Sequence, residues 1–133
     1  MHHVIIGAGP AGVVAAEALR KLDSDSQITL IGDEPEPPYS RMALPYYLID
    51  QIKEKGTHLR KGKNHFQGSK IDVVQDRVTQ LDPDNKTVTL KNGKAVTYDK
   101  LLIATGSHPV SPPIPGVDSP AVHPCWTLED SRQ

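Results

Sequence analysis

Apolar positions along this chain fall into short runs, separated by polar, glycine-rich or proline-rich breaks. His3 to Ile6 is an apolar run that stops at Gly7, as a strand buried on both faces does. From Pro10 to Lys21 the residues become Ala, Val, Leu and Glu. Val13, Ala16 and Leu19 fall at helical spacing, which predicts a helix with a small-residue face. Asp23 to Ser26 is a polar turn, and Ile28 to Ile31 is a second apolar run. Together these form a strand–helix–strand unit of about 30 residues, the length a right-handed parallel crossover requires.

Residues 33 to 39 carry three prolines, which remove backbone donors and exclude regular structure. Ser40 then precedes Arg41-Met-Ala-Leu and is placed to cap a short helix, whose length Pro45 limits. Asn64 to Gly68 reads as a helical turn and Ile71 to Val74 as a strand. Three alternating runs follow, Val78 to Leu81, Thr87 to Leu90 and Ala95 to Tyr98. The turns Asp82-Pro-Asp-Asn and Asn92-Gly93 separate them, and Asn-Gly is a strong hairpin signal. This pattern predicts an antiparallel meander attached to the parallel sheet. Leu101 to Ala104 is a further buried strand, ending at Thr105-Gly106. The six prolines among the 17 residues from His108 to Pro124 predict an extended connector. Thr127-Leu-Glu-Asp offers the start of a new element. The expected class is α/β: a Rossmann-like parallel sheet with helices and a three-stranded meander.

Composition narrows the options. Fifteen basic and 16 acidic residues leave a formal charge of −1, with no electrostatic footprint for nucleic acid or an anionic membrane. No stretch approaches the roughly 18 apolar residues of a spanning helix. The N-terminus lacks the basic region and longer apolar run of a signal peptide. A single cysteine, Cys125, excludes an internal disulfide framework and an intrachain redox pair. The six histidines show no metal-ligand spacing. These features together lead to the expectation of a cytoplasmic protein without nucleic-acid or membrane partners.

The chemistry starts at Gly7-Ala8-Gly9-Pro10-Ala11-Gly12, a G-x-G-x-x-G run between a predicted strand and a predicted helix. Gly7 permits the sharp turn, Gly9 lets a pyrophosphate approach the backbone, and Gly12 lets the helix pack on the strand. Free N–H groups at the helix start, aided by its dipole, suit phosphate oxygens. The same pattern calls for a carboxylate about 20 residues on to accept from ribose hydroxyls. Asp33 and Glu34 both answer it, because Gly32 stands where the acid is expected. A turn that merely packs is the competing reading. The strand, helix and acid together argue against it.

Tyr98-Asp-Lys-Leu-Leu-Ile-Ala-Thr-Gly-Ser resembles the ATG motif of the FAD-dependent pyridine nucleotide-disulfide oxidoreductase superfamily, here Ala104-Thr105-Gly106. A Pro-rich stretch like Pro109-Val-Ser-Pro-Pro-Ile-Pro-Gly follows the motif in that family, and the likeness runs from Val4 to about Asp130. Pro37-Pro-Tyr-Ser-Arg-Met-Ala-Leu-Pro-Tyr-Tyr is similar to a segment near the flavin in its NADH oxidase, rubredoxin or ferredoxin reductase, and nitrite reductase branch. The resemblance implies that Arg41 contacts FAD, which suits its two-pronged donor geometry. It also implies that the backbone of Val78 lies at the adenine.

Two departures matter. Met42 stands where thiol-using relatives have a reactive cysteine, and a thioether forms no thiolate or disulfide. Tyr46 stands where the ferredoxin-reductase type has a lysine. Met42 is therefore expected to pack beside the flavin, and Cys125 matches no redox position.

The resemblance implies a truncated FAD/NAD(P)-binding domain fold. Residues 1–110 would be the first section of the FAD-binding domain, and residues 111–133 a connector toward an absent NAD(P)H-binding domain. The implied protein passes hydride from NAD(P)H to FAD and electrons onward, without a redox-active disulfide. Its expected partners are the dinucleotide, the remainder of the flavoprotein or another subunit, and an electron-acceptor protein. The alternative is a non-catalytic nucleotide-binding module that completes its site with a second chain.

Overall fold

The computed structural model describes residues 1–133. It contains two compact units that are not consecutive along the chain. The first comprises Met1–Tyr39 and Leu59–Gly106, the second Ser40–His58 and Ser107–Gln133.

In the first unit, strands β1 (His2–Ile6), β2 (Gln27–Gly32), β3 (Ile71–Gln75) and β7 (Lys100–Ile103) form one parallel sheet in the order β3-β2-β1-β7. Helix α1 (Pro10–Leu22) makes the crossover from β1 to β2, as the sequence predicts. Val4, Ile5, Ile28, Leu30 and Ile31 are at most 1% exposed, because both faces of these strands are covered. Burying each such side chain contributes about 1.5–3 kcal/mol. On one face Ile5, Ile28, Leu30 and Ile71 pack with Val13 and Ala16 of α1, so the small-residue side of the helix meets the sheet. On the other face Val4 and Ile31 pack with Val88 and Leu90.

Those last two residues belong to the meander of β4 (Val78–Asp82), β5 (Thr87–Leu90) and β6 (Ala95–Thr97). The sequence predicts the three strands and their attachment to the parallel sheet. They form a separate antiparallel sheet, β4-β5-β6, joined to the first through side chains rather than ladder hydrogen bonds. The alternation of Val88 and Leu90 with Thr87 and Thr89 gives β5 one apolar face to lay on the parallel strands.

One side chain closes the far end of this unit. Arg20, in the last turn of α1, donates to the carbonyl oxygens of Asp23, Ser24, Ser26, Ser69 and Lys70 at 2.8–3.0 Å. Asp23 turns the chain by accepting from the backbone N–H groups of Asp25 and Ser26, which holds its carboxyl below the usual range. Midway along α1, Glu17 accepts from Arg60 Nε at 2.6 Å and pairs with His65 Nε2 at 2.8 Å. Both contacts tie the segment containing α3 (His65–Gly68) to the helix.

The second unit is built from short turns. A 3-10 turn at Arg41–Ala43 leads into α2 (Leu44–Leu48), and another 3-10 turn spans Glu54–Thr57. Ser40 occupies the cap position but makes no side-chain cap bond, contrary to expectation. Pro45 does not end a helix. It sits in the first turn of α2, where its missing N–H has no helical acceptor to lose. The connector after Ser107 has no strand or helix until α4 (Leu128–Ser131). Thr127 and Asp130 form a reciprocal capping box there, so the final residues do start an element. Leu44 and Leu128 are the buried anchors of this unit, and Arg132 pairs with Glu54 at 2.8 Å.

Removing Arg20 leaves five carbonyls without their shared donor, so Arg20→Ala lowers stability by about 2 kcal/mol in urea denaturation. Glu17 generates a pH dependence. The Arg60 hydrogen bond, against an opposing effect of burial and with help from His65, holds its carboxyl below the ordinary value of 4.5. A lowered folded-state value means the contribution is complete above that ordinary value and is lost as pH falls through the folded one. The pair is partly exposed, so its worth stays below about 1 kcal/mol. Glu17→Gln therefore flattens the acid limb of a stability–pH profile and leaves its slope above pH ~6 unchanged.

Candidate functional site

The glycine-rich loop joins β1 to α1 at the carboxyl end of the parallel sheet, where open α/β folds place ligands. Gly7 N–H donates to Ile31 O at 2.7 Å and turns the chain at φ +114°, a left-handed value suited to glycine. A Cβ there would lie 2.2 Å from Ala104 O. A Cβ on Gly12 would lie 1.9 Å from Gly7 O. Both positions are therefore closed to any side chain.

Gly9 is different. A Cβ on Gly9 meets nothing within 4 Å, and its φ of −79° is open to every residue. The first helical bond runs from Val13 N–H to Gly9 O at 3.0 Å. Ala11 and Gly12 precede it, so their N–H groups have no acceptor within the helix, and Pro10 has none to offer. Gly9, the N-cap residue, has no side chain to satisfy them. Unmatched donors beside open space, at the positive end of a 13-residue helix, fit a phosphate group. The dinucleotide expected from the sequence is compatible with the residues present.

The structure brings the two separated motifs together. Ala104 N–H donates to Ile6 O at 2.7 Å, extending the β1–β7 pairing into the loop. Gly7 packs on the Ala104–Thr105 backbone, and Gly106 leaves the strand at φ +73°. Thr105 and Gly106 are exposed beside the glycine loop.

The two candidate acids differ in their surroundings. Gly32 is required by contact, since its Cβ would fall 2.7 Å from Ala8 Cβ. The acid is thereby displaced beyond the end of β2. Asp33 is exposed and has no partner within the chain, while Glu34 accepts from the buried hydroxyl of Tyr39. Tyr39 and Gln75 were not singled out by sequence. Gln75 Nε2 donates to Pro35 O at 2.6 Å and fixes the proline loop against the end of β3. Tyr39 carried a faint signal, as an aromatic residue within a proline run. Gln75 carried none.

Val78 opens β4, and its side chain packs on the cluster of Val4, Ile31, Val88 and Leu90. Arg41 lies in the second unit. Its Nε donates to Trp126 O at 2.9 Å, and its guanidinium sits 5.0 Å from the centre of the Trp126 ring. Met42, expected to pack beside the flavin, is 85% exposed within this chain. Cys125 is exposed and unpaired by any disulfide. A cavity of about 430 Å³ runs beside the outer strand β3, lined by Pro37, Pro38, Phe66 and Val73 rather than by the glycine loop. No helix is long and apolar enough to cross a membrane.

The family model for pyridine nucleotide-disulphide oxidoreductases matches residues 1–133. The chain belongs to the pyridine nucleotide-disulphide oxidoreductase family. Proteins of this family are FAD-dependent and use NAD(P)H. An NADH oxidase of Methanocaldococcus jannaschii is 34% identical over 139 residues, covering 99% of this chain and 31% of that protein. Among solved structures, a ferredoxin reductase from Rhodopseudomonas palustris superposes with a TM-score of 0.90 at 31% identity, over 98% of this chain and 32% of that one. The reductase in a covalent putidaredoxin reductase–putidaredoxin complex does so at 0.86 and 32% identity, again over 98% and 32%. The chain spans about a third of the length of the curated relatives it matches. The FAD/NAD(P)-binding fold expected for the family is the one observed, with its parallel sheet and separate three-stranded meander.

The glycines divide by environment, and their substitutions should divide the same way. Gly7→Ala and Gly12→Ala force a side chain into backbone and lower stability by about 2 kcal/mol or more. Gly9→Ala changes the denaturation midpoint by less than about 0.5 kcal/mol equivalent, because the site is open and its φ ordinary.

Proposed function

We propose that this chain is the FAD-binding segment of an NAD(P)H-dependent flavoprotein oxidoreductase that passes electrons to an acceptor without a redox-active disulfide. The observation that carries this reading is the convergence of Gly7 on the Ala104–Thr105 backbone, which puts both family motifs at one sheet end. Bound FAD would supply the hydride-accepting and electron-passing chemistry. The chain's own residues bind and orient it. Gly9 leaves room for the pyrophosphate, and the N–H groups of Ala11 and Gly12 donate to its oxygens. Asp33 accepts from the ribose, because its carboxylate has no partner in the chain, whereas Glu34 is already engaged by Tyr39. Pro10, Thr105, Gly106 and the backbone of Val78 complete the contacts, with Arg41 as a further cofactor ligand.

Residues 1–110 are, on this reading, the first section of the FAD-binding domain, and residues 111–133 lead toward an NAD(P)H-binding domain. The exposed Met42 and the lone Cys125 support transfer without a thiol. A protein acceptor is supported by relatives that are ferredoxin reductases, and the compartment is the cytoplasm. The edge strand β7 leaves Leu102 41% and Ile103 59% exposed, which supports a further segment covering that edge. The same exposure suits the second reading, a small nucleotide-binding module completed by another chain.

Titration with FAD, followed by NADH, separates the two. The 133-residue chain is expected to hold FAD weakly and to oxidise no NADH, while a protein carrying the additional length of its relatives does both. Stoichiometric flavin absorbance with turnover by the short chain would sink the segment reading. Gly9→Val is expected to abolish FAD binding without unfolding. Asp33→Asn should weaken binding by about five- to tenfold and Glu34→Gln by less. Equal losses would overturn the assignment of the ribose to Asp33.

A further inference from the structure

Arg41 and Trp126 are 85 residues apart in sequence, yet they make two distinct contacts. The Arg41 Nε–H donates to the Trp126 carbonyl at 2.9 Å, and its guanidinium carbon lies 5.0 Å from the centre of the indole ring. The first contact fixes the direction of the side chain, and the second keeps its charged end over the ring face. Trp126 is itself held. Its N–H donates to Asp130 Oδ2 at 3.0 Å, and the same oxygen accepts from Thr127 N–H at 2.8 Å. Asp130 N–H in turn donates to Thr127 Oγ1 at 3.1 Å, closing the capping box of α4. The Trp126 Nε1–H is buried without an acceptor, which costs stability. The ring is thus kept where its face meets Arg41 despite an unmatched donor.

We infer that Trp126 is a positioning residue for Arg41, holding its guanidinium ready to bind the anionic dinucleotide. This rests on the proposed role of Arg41 as a cofactor ligand. A free arginine loses about 2 kcal/mol of side-chain entropy when immobilised, so an arginine already stacked and hydrogen-bonded loses less on binding. The arrangement also couples the segment at 126–130 to cofactor affinity, although that segment offers the cofactor no charge of its own beyond Asp130 and Glu129.

The test uses the full-length protein freed of flavin, with FAD affinity measured by titration for Trp126→Leu, Trp126→Phe, Arg41→Ala and the Trp126→Leu/Arg41→Ala pair. Trp126→Leu removes the ring and is expected to weaken FAD binding about two- to fivefold. Trp126→Phe keeps an aromatic face and removes the unmatched donor, so it restores affinity. In the Arg41→Ala background, Trp126→Leu causes no further loss. Trp126 is the chain's single tryptophan, so in a full-length protein whose other tryptophans are replaced its emission without FAD should shift on Arg41→Ala. Additive losses in the cycle, or an unchanged affinity for Trp126→Leu, would overturn the inference. An unchanged emission overturns the contact itself. Failure of the unsubstituted protein to bind FAD instead sinks the proposed function, and the emission result still reports on the pairing.

Discussion

The closest constraint in this protein is the approach of three backbone segments at the start of α1. Gly12 lies against the carbonyl of Gly7, and Gly7 lies against the carbonyl of Ala104, with separations that admit no side chain at either glycine. These contacts seat the helix on the sheet, bring β7 beside β1 and leave the helix N-terminus open at Gly9. Van der Waals repulsion rises so steeply that one methyl group at Gly7 or Gly12 would displace the helix or the strand. The open donors that suit a phosphate follow from this packing. Helical donors can stay unmatched only at an end that is reachable from outside.

Around that junction, the two faces of the parallel sheet are covered by different means. Alanine and valine on α1 bring the helix close on one side, and the alternating β5 lays Val88 and Leu90 on the other. Coverage stops at β7, where Leu102 and Ile103 remain exposed. An exposed apolar edge strand of this kind is a ready template for pairing with a further strand. Polar ties do the remaining work at the periphery. Arg20 gathers five carbonyls from two loops, and Glu17 holds Arg60 and His65 against the helix.

Site chemistry follows from the same geometry. The first unit offers open backbone donors at the start of α1 and an exposed carboxylate at Asp33, chemistry that suits a dinucleotide, and the second unit holds the Arg41 guanidinium over the Trp126 ring. None of them forms a redox couple. Met42 is a thioether, and Cys125 is a lone thiol on the surface. The chain belongs to the pyridine nucleotide-disulphide oxidoreductase family, and its single thiol has no disulfide partner within these 133 residues.

The chain's own pattern was enough to determine β1, α1, β2, β5 and the turn at Asn92-Gly93, because each depends on residues within a few positions of one another. Apolar period, glycine spacing and proline placement are local quantities, and so is the fingerprint from Gly7 to Gly12. The same locality explains what was misread. Local pattern makes Pro45 a limit on a short helix, whereas the folded chain places it in the first turn of α2. Four features were decided by tertiary structure alone: the clash that makes Gly32 a glycine, the engagement of Glu34 by Tyr39, the reach of Arg20 to Lys70, and the stacking of Arg41 on Trp126. Most of these join positions far apart along the chain, and all depend on how the backbone returns through space. No periodicity in sequence encodes such a meeting; only the folded packing creates it.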